Sequence, residues 1–506
     1  MSSLLERYAA RITGVLSCFD RLIVTGTVPG ICYAQGMVAY LSTRGVRMLD
    51  YPEYFKPLGD EIKANAESLA TEHGLSIEYI RSARAFRKED RIRAILQARG
   101  THPGLVHIFS VLETCASFYA WYDKPTGKTS LRYKDAKCVH YYFYFIDEQF
   151  GLCYLRVPTW APFRLQFYCN GHHWLASQMR QQAIPFQPLD NTLVGVGDWS
   201  AAQALADGFT APQLHQLLDQ AVAHYCPVIR HFDADYHWSI QQVEYATDIV
   251  FKTQQDLRPL YEGLVRTAIH AVKPAHVATF LGRKLHPLYE GEVGNDFHTR
   301  VEGTCLKHHM GPAAIKLYDK QGIVMRIETT VNDVTFLHHY RTVEHRDGSH
   351  EKKLAPMQKS IYSLPALAEL LLAANRRYLA FLSDLADPTA GLRQVEKLAE
   401  PVRKNNRTYR GFNLFSTPDL TALLALCEGQ HAISGITNAR LRRALPGKSS
   451  SQISALLKRL RLHGLIKKIG KTYKYYFTKA GQTVILTALK LRELVVIPSL
   501  AGIQPA

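Results

Sequence analysis

The strongest constraint on the fold is a pair of alternating segments joined by a short turn. Residues 314–319 and 323–330 alternate apolar and polar side chains, and Lys-Gln-Gly connects them. Because successive side chains of a strand point to opposite faces, this pattern predicts a β-hairpin with one buried face. The other face would carry Lys316, Tyr318 and Lys320 from the first strand and Arg326 and Glu328 from the second.

This polar face offers groups that phosphate chemistry uses. A carboxylate, together with imidazoles such as that of His308 before the hairpin, can bind a divalent cation. Lysine and arginine can bind a phosphate, and a tyrosine can attack a phosphodiester. The alternative is a solvated face on which Lys, Arg and Glu form cross-strand ion pairs and no chemistry takes place.

Two motifs of the hairpin resemble those of a known family. Tyr318-Asp319-Lys320 and Arg326-Ile327-Glu328 look like the paired YDK and RxE strands of the rolling-circle replication initiators of plasmids and filamentous phages. The segment 243–248, Val-Glu-Tyr-Ala-Thr-Asp, is similar to the strand that opens the core of those proteins. The resemblance covers about residues 236–345. It implies that a tyrosine nicks one DNA strand and stays attached to the 5′ phosphate, with Mg²⁺ or Mn²⁺ as cofactor.

The resemblance also implies roles for individual residues. The nucleophile of these initiators can lie shortly after the RxE strand, which points to Tyr340 here, with Tyr378 as a second candidate. The catalytic set implied is Tyr340, Lys320, Arg326 and Tyr318. The metal ligands implied are Glu328, Asp248, Glu244 and His308. Segment 243–248 could be a strand or a helix, and either geometry puts its two carboxylates on one face.

Three acidic residues permit a different reading of the same region. Asp20 lies in a β-rich segment near the N-terminus, Asp147 follows the apolar run 141–146, and Glu244 comes later. Together they could form the two-metal site of an RNase H-like nuclease or transposase.

His172 and His173 are adjacent in sequence and cannot both face one metal from a helix. We interpret them as structural.

Aromatic residues are concentrated between positions 118 and 168, where 16 of 51 residues are Phe, Tyr or Trp. Turn signals separate short runs, which predicts an antiparallel meander. Period-2 alternation would turn two of Tyr141, Tyr142 and Tyr144 away from the core. Outward rings beside Arg132, Lys134, Lys137, Arg156 and Arg164 could stack unpaired bases. A packed aromatic core is the alternative.

The C-terminal region is locally basic. The net charge is +17, yet residues 429–492 hold 14 Lys and Arg and no acid, against 47 Lys and Arg and 44 acids elsewhere. Three helices at 417–428, 437–445 and 449–463, followed by two strands around Gly470-Lys471, resemble a MarR-like winged helix. Its third helix would enter the DNA major groove. The DNA contacts expected are Lys458, Arg459, Arg461, Lys467, Lys468, Lys471, Lys474, Arg440, Arg442 and Arg443.

These patterns predict an α+β protein with antiparallel-sheet central domains, helical insertions and a C-terminal winged helix. The predicted regions are an N-terminal α/β region 1–115, an aromatic sheet domain 116–235, an initiator-like core 236–345, a helical linker 346–410 and the winged helix 411–495. No run of 18 apolar residues and no signal-peptide core occurs, which favours a cytoplasmic protein without membrane contact.

We therefore expect a DNA-processing protein of a mobile element or replicon. It would bind duplex DNA at the winged helix and a single strand at the central sheet, with RNA and a homodimer left open. The whole chain also resembles large, multi-copy bacterial proteins that end in a MarR-like winged helix. The alternatives are a non-enzymatic transcriptional regulator and the RNase H-like nuclease.

Overall fold

Alternating segments from the whole N-terminal three quarters of the chain pair into one sheet. The computed structural model describes residues 4–81, 86–285, 289, 291–300, 303–345, 347–385, 398–413, 416–427, 435–470 and 472–491. It divides into two compact units, Met1–Ala386 and Asp387–Ala506. Helices and a large sheet occur together, which confirms the α+β class.

Helices of the first unit cover the sheet on both faces. They are α1 (Leu4–Arg7), α2 (Ala34–Thr43), α3 (Tyr51–Glu72), α4 (Lys88–Arg99), α5 (Gly171–Gln181), α6 (Trp199–Asp207), α7 (Ala211–Tyr225), α8 (Gln254–Ala271), α9 (Pro274–Phe280) and α10 (Leu364–Leu385).

Strands of the first unit form an eleven-stranded sheet and two small pairs. They are β1 (Ile12–Thr27), β2 (Ile77–Ile80), β3 (Gly104–Asp123), β4 (Lys128–Asp147), β5 (Gly151–Pro158), β6 (Leu165–Asn170), β7 (Gln187–Pro188), β8 (Leu193–Val194), β9 (His237–Phe251), β10 (Val293–Arg300), β11 (Gly303–Met310), β12 (Ala313–Lys320), β13 (Val324–Val331), β14 (His338–Glu344) and β15 (His350–Pro356). The sheet order is β10-β11-β12-β13-β9-β1-β6-β5-β4-β3-β2.

The predicted hairpin is present as β12 and β13. Lys316 pairs with Glu328 and Tyr318 with Arg326, so the predicted polar face exists. Segment 243–248 is part of strand β9, and it pairs with β13 so that Asp248 lies opposite Arg326. A solvated face is the wrong description, because Arg326 is 0% and Glu328 2% exposed.

One sheet joins the three regions that the sequence divides at 115 and 235. Its central strands β9, β1 and β6 come from all three, because antiparallel neighbours can lie far apart in sequence. Helix α10 does not act as a linker. Its residues Leu364, Leu371 and Leu382 belong to the main apolar core of the first unit.

The aromatic meander is confirmed as β3 to β6, but its expected outward rings are not outward. Tyr141, Tyr142 and Tyr144 are all buried. Tyr142 and Tyr144 belong to a small core that also contains Ile92 of α4. The side chains do alternate between the two faces of the sheet, but helix α4 covers the second face. Sequence periodicity cannot show that a helix covers a face.

The second unit has an apolar core of its own, built around Leu423, Leu441, Ile453 and Leu460. Its elements are β16 (Val402–Lys404), β17 (Arg407–Tyr409), a first helix Thr417–Leu426, a second helix Asn438–Ala444, a third helix Ser450–Leu462, β18 (Ile466–Lys468), β19 (Tyr475–Phe477) and a last helix Lys479–Leu491. The order of three helices and a two-stranded hairpin is the predicted one. Assignment to the winged-helix fold stays a prediction.

Within the described part of the chain, none of the helices combines the length and the apolar character needed to cross a membrane.

Candidate active site

A β-bulge places Asp20 at the centre of the site. On β1, Phe19 pairs with Tyr245 of β9 and Leu22 pairs with Val243, so Asp20 and Arg21 together lie opposite the single residue Glu244. Bulges of this kind re-aim a side chain and are common beside active sites. Asp20 is therefore turned toward the polar face of the hairpin, where it is 3% exposed.

The start of helix α5 packs against this bulge. A Cβ added at Gly171 would lie 2.2 Å from the Phe19 carbonyl oxygen, so only glycine permits the approach. The helix cap Asn170 accepts hydrogen bonds from the backbone N–H groups of His172 and His173. Its side-chain Nδ2 donates to Asp20 Oδ1 at 2.7 Å. The cap thus joins the helix to the carboxylate.

Arg326 is the hub of the buried half of the site. Its Nε donates to Asp248 Oδ1 at 2.5 Å and its Nη1 to Asp20 Oδ2 at 2.9 Å. Its Nη2 donates to Asp248 Oδ2 and to the Asn191 carbonyl oxygen, each at 2.7 Å. The same nitrogen lies 3.1 Å from His172 Nε2. The guanidinium is therefore engaged by protein groups and not available to a phosphate.

This pairing sets the pKa values of the two aspartates. Burial alone raises the pKa of Asp20, but the charge of Arg326 and the contacts of His172 outweigh it and leave the pKa below its ordinary value. Burial raises the pKa of Asp248 in the same way, and Arg326 again lowers it overall. Both carboxylates are ionised at neutral pH.

The second half of the site is more accessible and centres on Glu328. Lys316 Nζ donates to Glu328 Oε1 at 2.7 Å and to Glu244 Oε1 at 3.1 Å. The hydroxyl of Tyr318 donates to Glu328 Oε2. Burial and then the charge of Glu328 raise the pKa of Glu244. Burial and then the charge of Glu328 also raise the pKa of Tyr318 well above its ordinary value.

Carboxylate oxygens of Asp20, Glu244 and Glu328 lie within 4.8 Å of one another and could hold a metal ion. Three oxygen donors suit a hard divalent cation. The chemistry of this donor set therefore fits a metal, on the condition that Lys316 Nζ, which now bridges Glu244 and Glu328, gives way.

A cavity of about 640 Å³ lies beside these residues. Tyr318, Asn170 and Asn191 line it and also contact the acidic cluster of Asp20, Glu244 and Glu328, and Lys320 lines it as well. Lys320 donates to the Asn191 side chain and lies 3.3 Å from Asp190. Burial, followed by the charge of Arg326, lowers the pKa of Lys320.

The structure brings six of the eight predicted catalytic and metal-binding residues together. They are Lys320, Arg326, Tyr318, Glu328, Glu244 and Asp248. Two of the six have other roles than expected. Asp248 lies outside the cluster of Asp20, Glu244 and Glu328, and its oxygens accept from Arg326 and Thr192. Arg326 holds carboxylates instead of a phosphate.

His308 lies on the opposite face of the sheet. It pairs with Ile315 on β12, and Ile315 alternates with Lys316 and therefore points away from Glu328. Its Nδ1 is 2.6 Å from Asn295 Oδ1 and its Nε2 is 2.8 Å from the hydroxyl of Tyr378. His308 cannot join Glu328 in a metal site, and the buried Tyr378 cannot act there as nucleophile.

Tyr340 is separated from the hairpin residues that were expected to surround it. It lies on β14 in a two-stranded sheet with β15, pairs with Leu354 and is 70% exposed. Asp147 of the RNase H-like alternative caps a turn, where its Oδ1 accepts from the backbone of Gln149 and Phe150. Asp20 and Glu244 of that alternative do come together.

Sequence reasoning missed His172, Asn170 and Asn191 as site residues, and it placed Lys316 on the polar face but not in the catalytic or metal-binding set. The structural role predicted for His172 is wrong, because its Nδ1 lies 3.3 Å from Asp20 Oδ1. A local sequence signal could have identified Asn170. Asn-Gly before a helix indicates a helix N-cap next to a close approach of two backbone segments.

Most of the expected DNA contacts of the second unit are exposed. They are Lys458, Arg461, Lys467, Lys468, Lys474, Arg442 and Arg443. Arg459 is not: its Nη1 and Nη2 contact buried Asp419 at 2.8 and 3.0 Å, and its guanidinium lies 3.7 Å from the centre of the Phe412 ring. Arg440 Nη1 donates to the Gly435 carbonyl oxygen. Lys471 lies outside the described residues.

Searches against models of protein families, curated proteins and solved structures find no match to this chain.

Proposed function

We propose that the protein is a metal-dependent enzyme that cleaves nucleic-acid phosphodiesters at Asp20, Glu244 and Glu328. The observation that carries the proposal is that three carboxylates from strands β1, β9 and β13 converge beside a cavity that also contains Lys320 and Tyr318. Bound Mg²⁺ or Mn²⁺ would neutralise charge on the phosphate and polarise it. The remaining roles belong to side chains of the chain itself.

Tyr318 is the tyrosine that this site offers as nucleophile, in place of Tyr340. Its hydroxyl already donates to Glu328, which could take the proton. A bond from Oη to phosphorus would then replace one P–O bond of the strand, and the departing oxygen would take up a proton. Lys320, which lines the cavity, would contact the phosphate. If water attacks instead, no covalent adduct forms.

DNA binding by the second unit belongs to the same proposal. The exposed face of Ser450–Leu462 carries Lys458 and Arg461, while Ile453, Leu457 and Leu460 face the core. A helix of this kind, followed by a basic hairpin, suits a winged helix on duplex DNA. A DNA-processing role in a mobile element or replicon would combine this binding with cleavage in the first unit.

The test is cleavage of labelled single-stranded and supercoiled DNA by the full chain with Mn²⁺. Wild type should cut, and chelator should stop it. Asp20→Asn and Glu328→Gln should each abolish cutting, since each removes a ligand charge with little change of shape. Glu262→Gln is the matched control, because Glu262 is an exposed helix residue paired only with Arg258 among the described residues.

Denaturing electrophoresis then identifies the nucleophile. An adduct that Tyr318→Phe removes and Tyr340→Phe retains supports Tyr318, whereas cutting without adduct supports water. Metal-dependent cutting that survives both Asp20→Asn and Glu328→Gln would overturn the site. Absence of cutting on every substrate would favour the non-enzymatic regulator, for which the separate basic unit is the supporting observation.

A further inference from the structure

We propose that the cavity beside the acidic cluster receives one unpaired nucleobase of the strand to be cut. This deepens the proposed function and rests on it for the identity of the reaction, although binding can be measured without cleavage. The cavity volume of about 640 Å³ is in the range of small-molecule sites and far below what a duplex requires. An unpaired nucleotide is therefore the form of nucleic acid that fits.

One wall of the cavity is made of stacked aromatic rings. The ring centres of Tyr154 and Tyr168 lie 5.2 Å apart, and the angle between the ring planes is 13°. Tyr144 lies 5.1 Å from Tyr154, and the guanidinium of Arg21 lies 5.6 Å from the centre of the Tyr168 ring. Planar rings beside a guanidinium are the surfaces on which unpaired bases stack, whatever their sequence.

Three polar atoms of side chains that line this cavity have no hydrogen-bond partner in the part of the chain that the structure describes. Tyr144 Oη, Arg21 Nε and His173 Nδ1 are buried and make no hydrogen bond to any described residue. All three side chains line the cavity, and Tyr144 is only 3% exposed. Buried polar groups in native proteins are nearly always hydrogen-bonded, so each such exception needs an explanation. A base edge, which carries both donors and acceptors, would supply the missing partners.

Residues that line the cavity donate hydrogen bonds to the acidic cluster, and this contact indicates how a nucleotide would lie. Tyr318 lines the cavity and donates to Glu328, and Asn170 lines it and donates to Asp20. A base against Tyr168 would therefore direct its own phosphate toward Lys320 and the three carboxylates. Binding of the base would position the phosphodiester, which is the effect that catalysis by orientation requires.

The experiment uses the full chain in chelator, so that no strand is cut. The probe is a single-stranded oligonucleotide with one 2-aminopurine, whose fluorescence falls when the base stacks. Wild type should quench it, and the same strand with an abasic site should bind more weakly. Tyr168→Leu should weaken binding roughly 5- to 150-fold through lost stacking. Tyr144→Phe should weaken it about 3- to 10-fold through one lost hydrogen bond.

Tyr142→Phe is the matched control. It also removes a buried tyrosine hydroxyl from this sheet, but that hydroxyl donates to Glu113 and Tyr142 does not line the cavity. It should leave quenching unchanged. Equal affinity for intact and abasic strands, or Tyr144→Phe binding like wild type, would overturn the inference.

The two proposals fail separately. If Tyr144→Phe weakens base binding as expected but no substrate is ever cut with Mn²⁺, the base pocket is supported and the proposed cleavage is wrong. If Mn²⁺-dependent cleavage depends on Glu328 but the 2-aminopurine fluorescence is never quenched, the cleavage proposal is supported and the base pocket is wrong.

Discussion

Replacing Arg326 with glutamine should destabilise the first unit more than almost any other single change. The wild-type guanidinium is 0% exposed and pairs with both Asp20 and Asp248. Glutamine keeps part of the length but removes this charge, and the two buried carboxylates then share only the imidazole of His172 as a nearby basic partner among the described residues. Breaking a buried pair in this way costs about 3–5 kcal/mol. Because Asp20 and Asp248 belong to one hydrogen-bonded network, the free-energy costs of unpairing each of them should not be added.

Urea unfolding followed by tryptophan fluorescence measures this cost. With a slope of about 3 kcal/mol per molar urea, the midpoint should fall by about 1 to 1.7 M. Arg258→Gln is the control, because its ion pair with Glu262 is exposed and should be worth less than about 0.5 kcal/mol. The double variant Arg326→Gln/Asp248→Asn should recover part of the stability that Arg326→Gln loses.

The loss should depend on pH in a defined direction. The folded-state pKa values of Asp20 and Asp248 lie below the ordinary value of 3.8, so their pairing stabilises the fold above about pH 4 and is lost as the pH falls through the folded-state values. Without Arg326, burial raises both pKa values, and the carboxylates take up protons at higher pH. The difference in the free energy of unfolding between wild type and Arg326→Gln should therefore become smaller as the pH falls from about 7.5 to about 4. A variant within about 0.5 kcal/mol of wild type at pH 7.5 would refute the reasoning.

Three further predictions concern other parts of the chain. Mn²⁺ at about 100 times its dissociation constant should stabilise wild type by about 2.7 kcal/mol in thermal melting, and Glu328→Gln should lose most of that gain; no gain in wild type would contradict metal binding. Gly171→Ala should cost about 1–3 kcal/mol through contact with the Phe19 carbonyl, whereas Gly30→Ala, with open space around it, should be nearly neutral in the same melting assay. Combined Lys458→Glu and Arg461→Glu should lower duplex DNA affinity and reduce the slope of log affinity against log salt by about 2, measured by fluorescence anisotropy; an unchanged slope would show that these side chains do not contact phosphates.

Local pattern alone determined several elements of this protein. The alternation in 314–330 was enough to predict the hairpin and its polar face, because strand periodicity depends only on neighbours in sequence. The same holds for the aromatic meander and for the apolar stripe of Ser450–Leu462. The basic character of residues 429–492 also follows from composition alone.

The tertiary structure decided which polar residues meet. Asp20, His172 and Arg326 lie in distant parts of the sequence and come together only because β13 pairs with β9, β9 with β1, and α5 packs on the bulge of β1. His308 shares the region of Glu328 in sequence but faces the other side of the sheet, since a shift of one residue reverses the face. Burial of the polar face required covering elements that no local pattern predicts. The pairing of strands therefore turned a hairpin that could have been solvated into a charged site inside the protein.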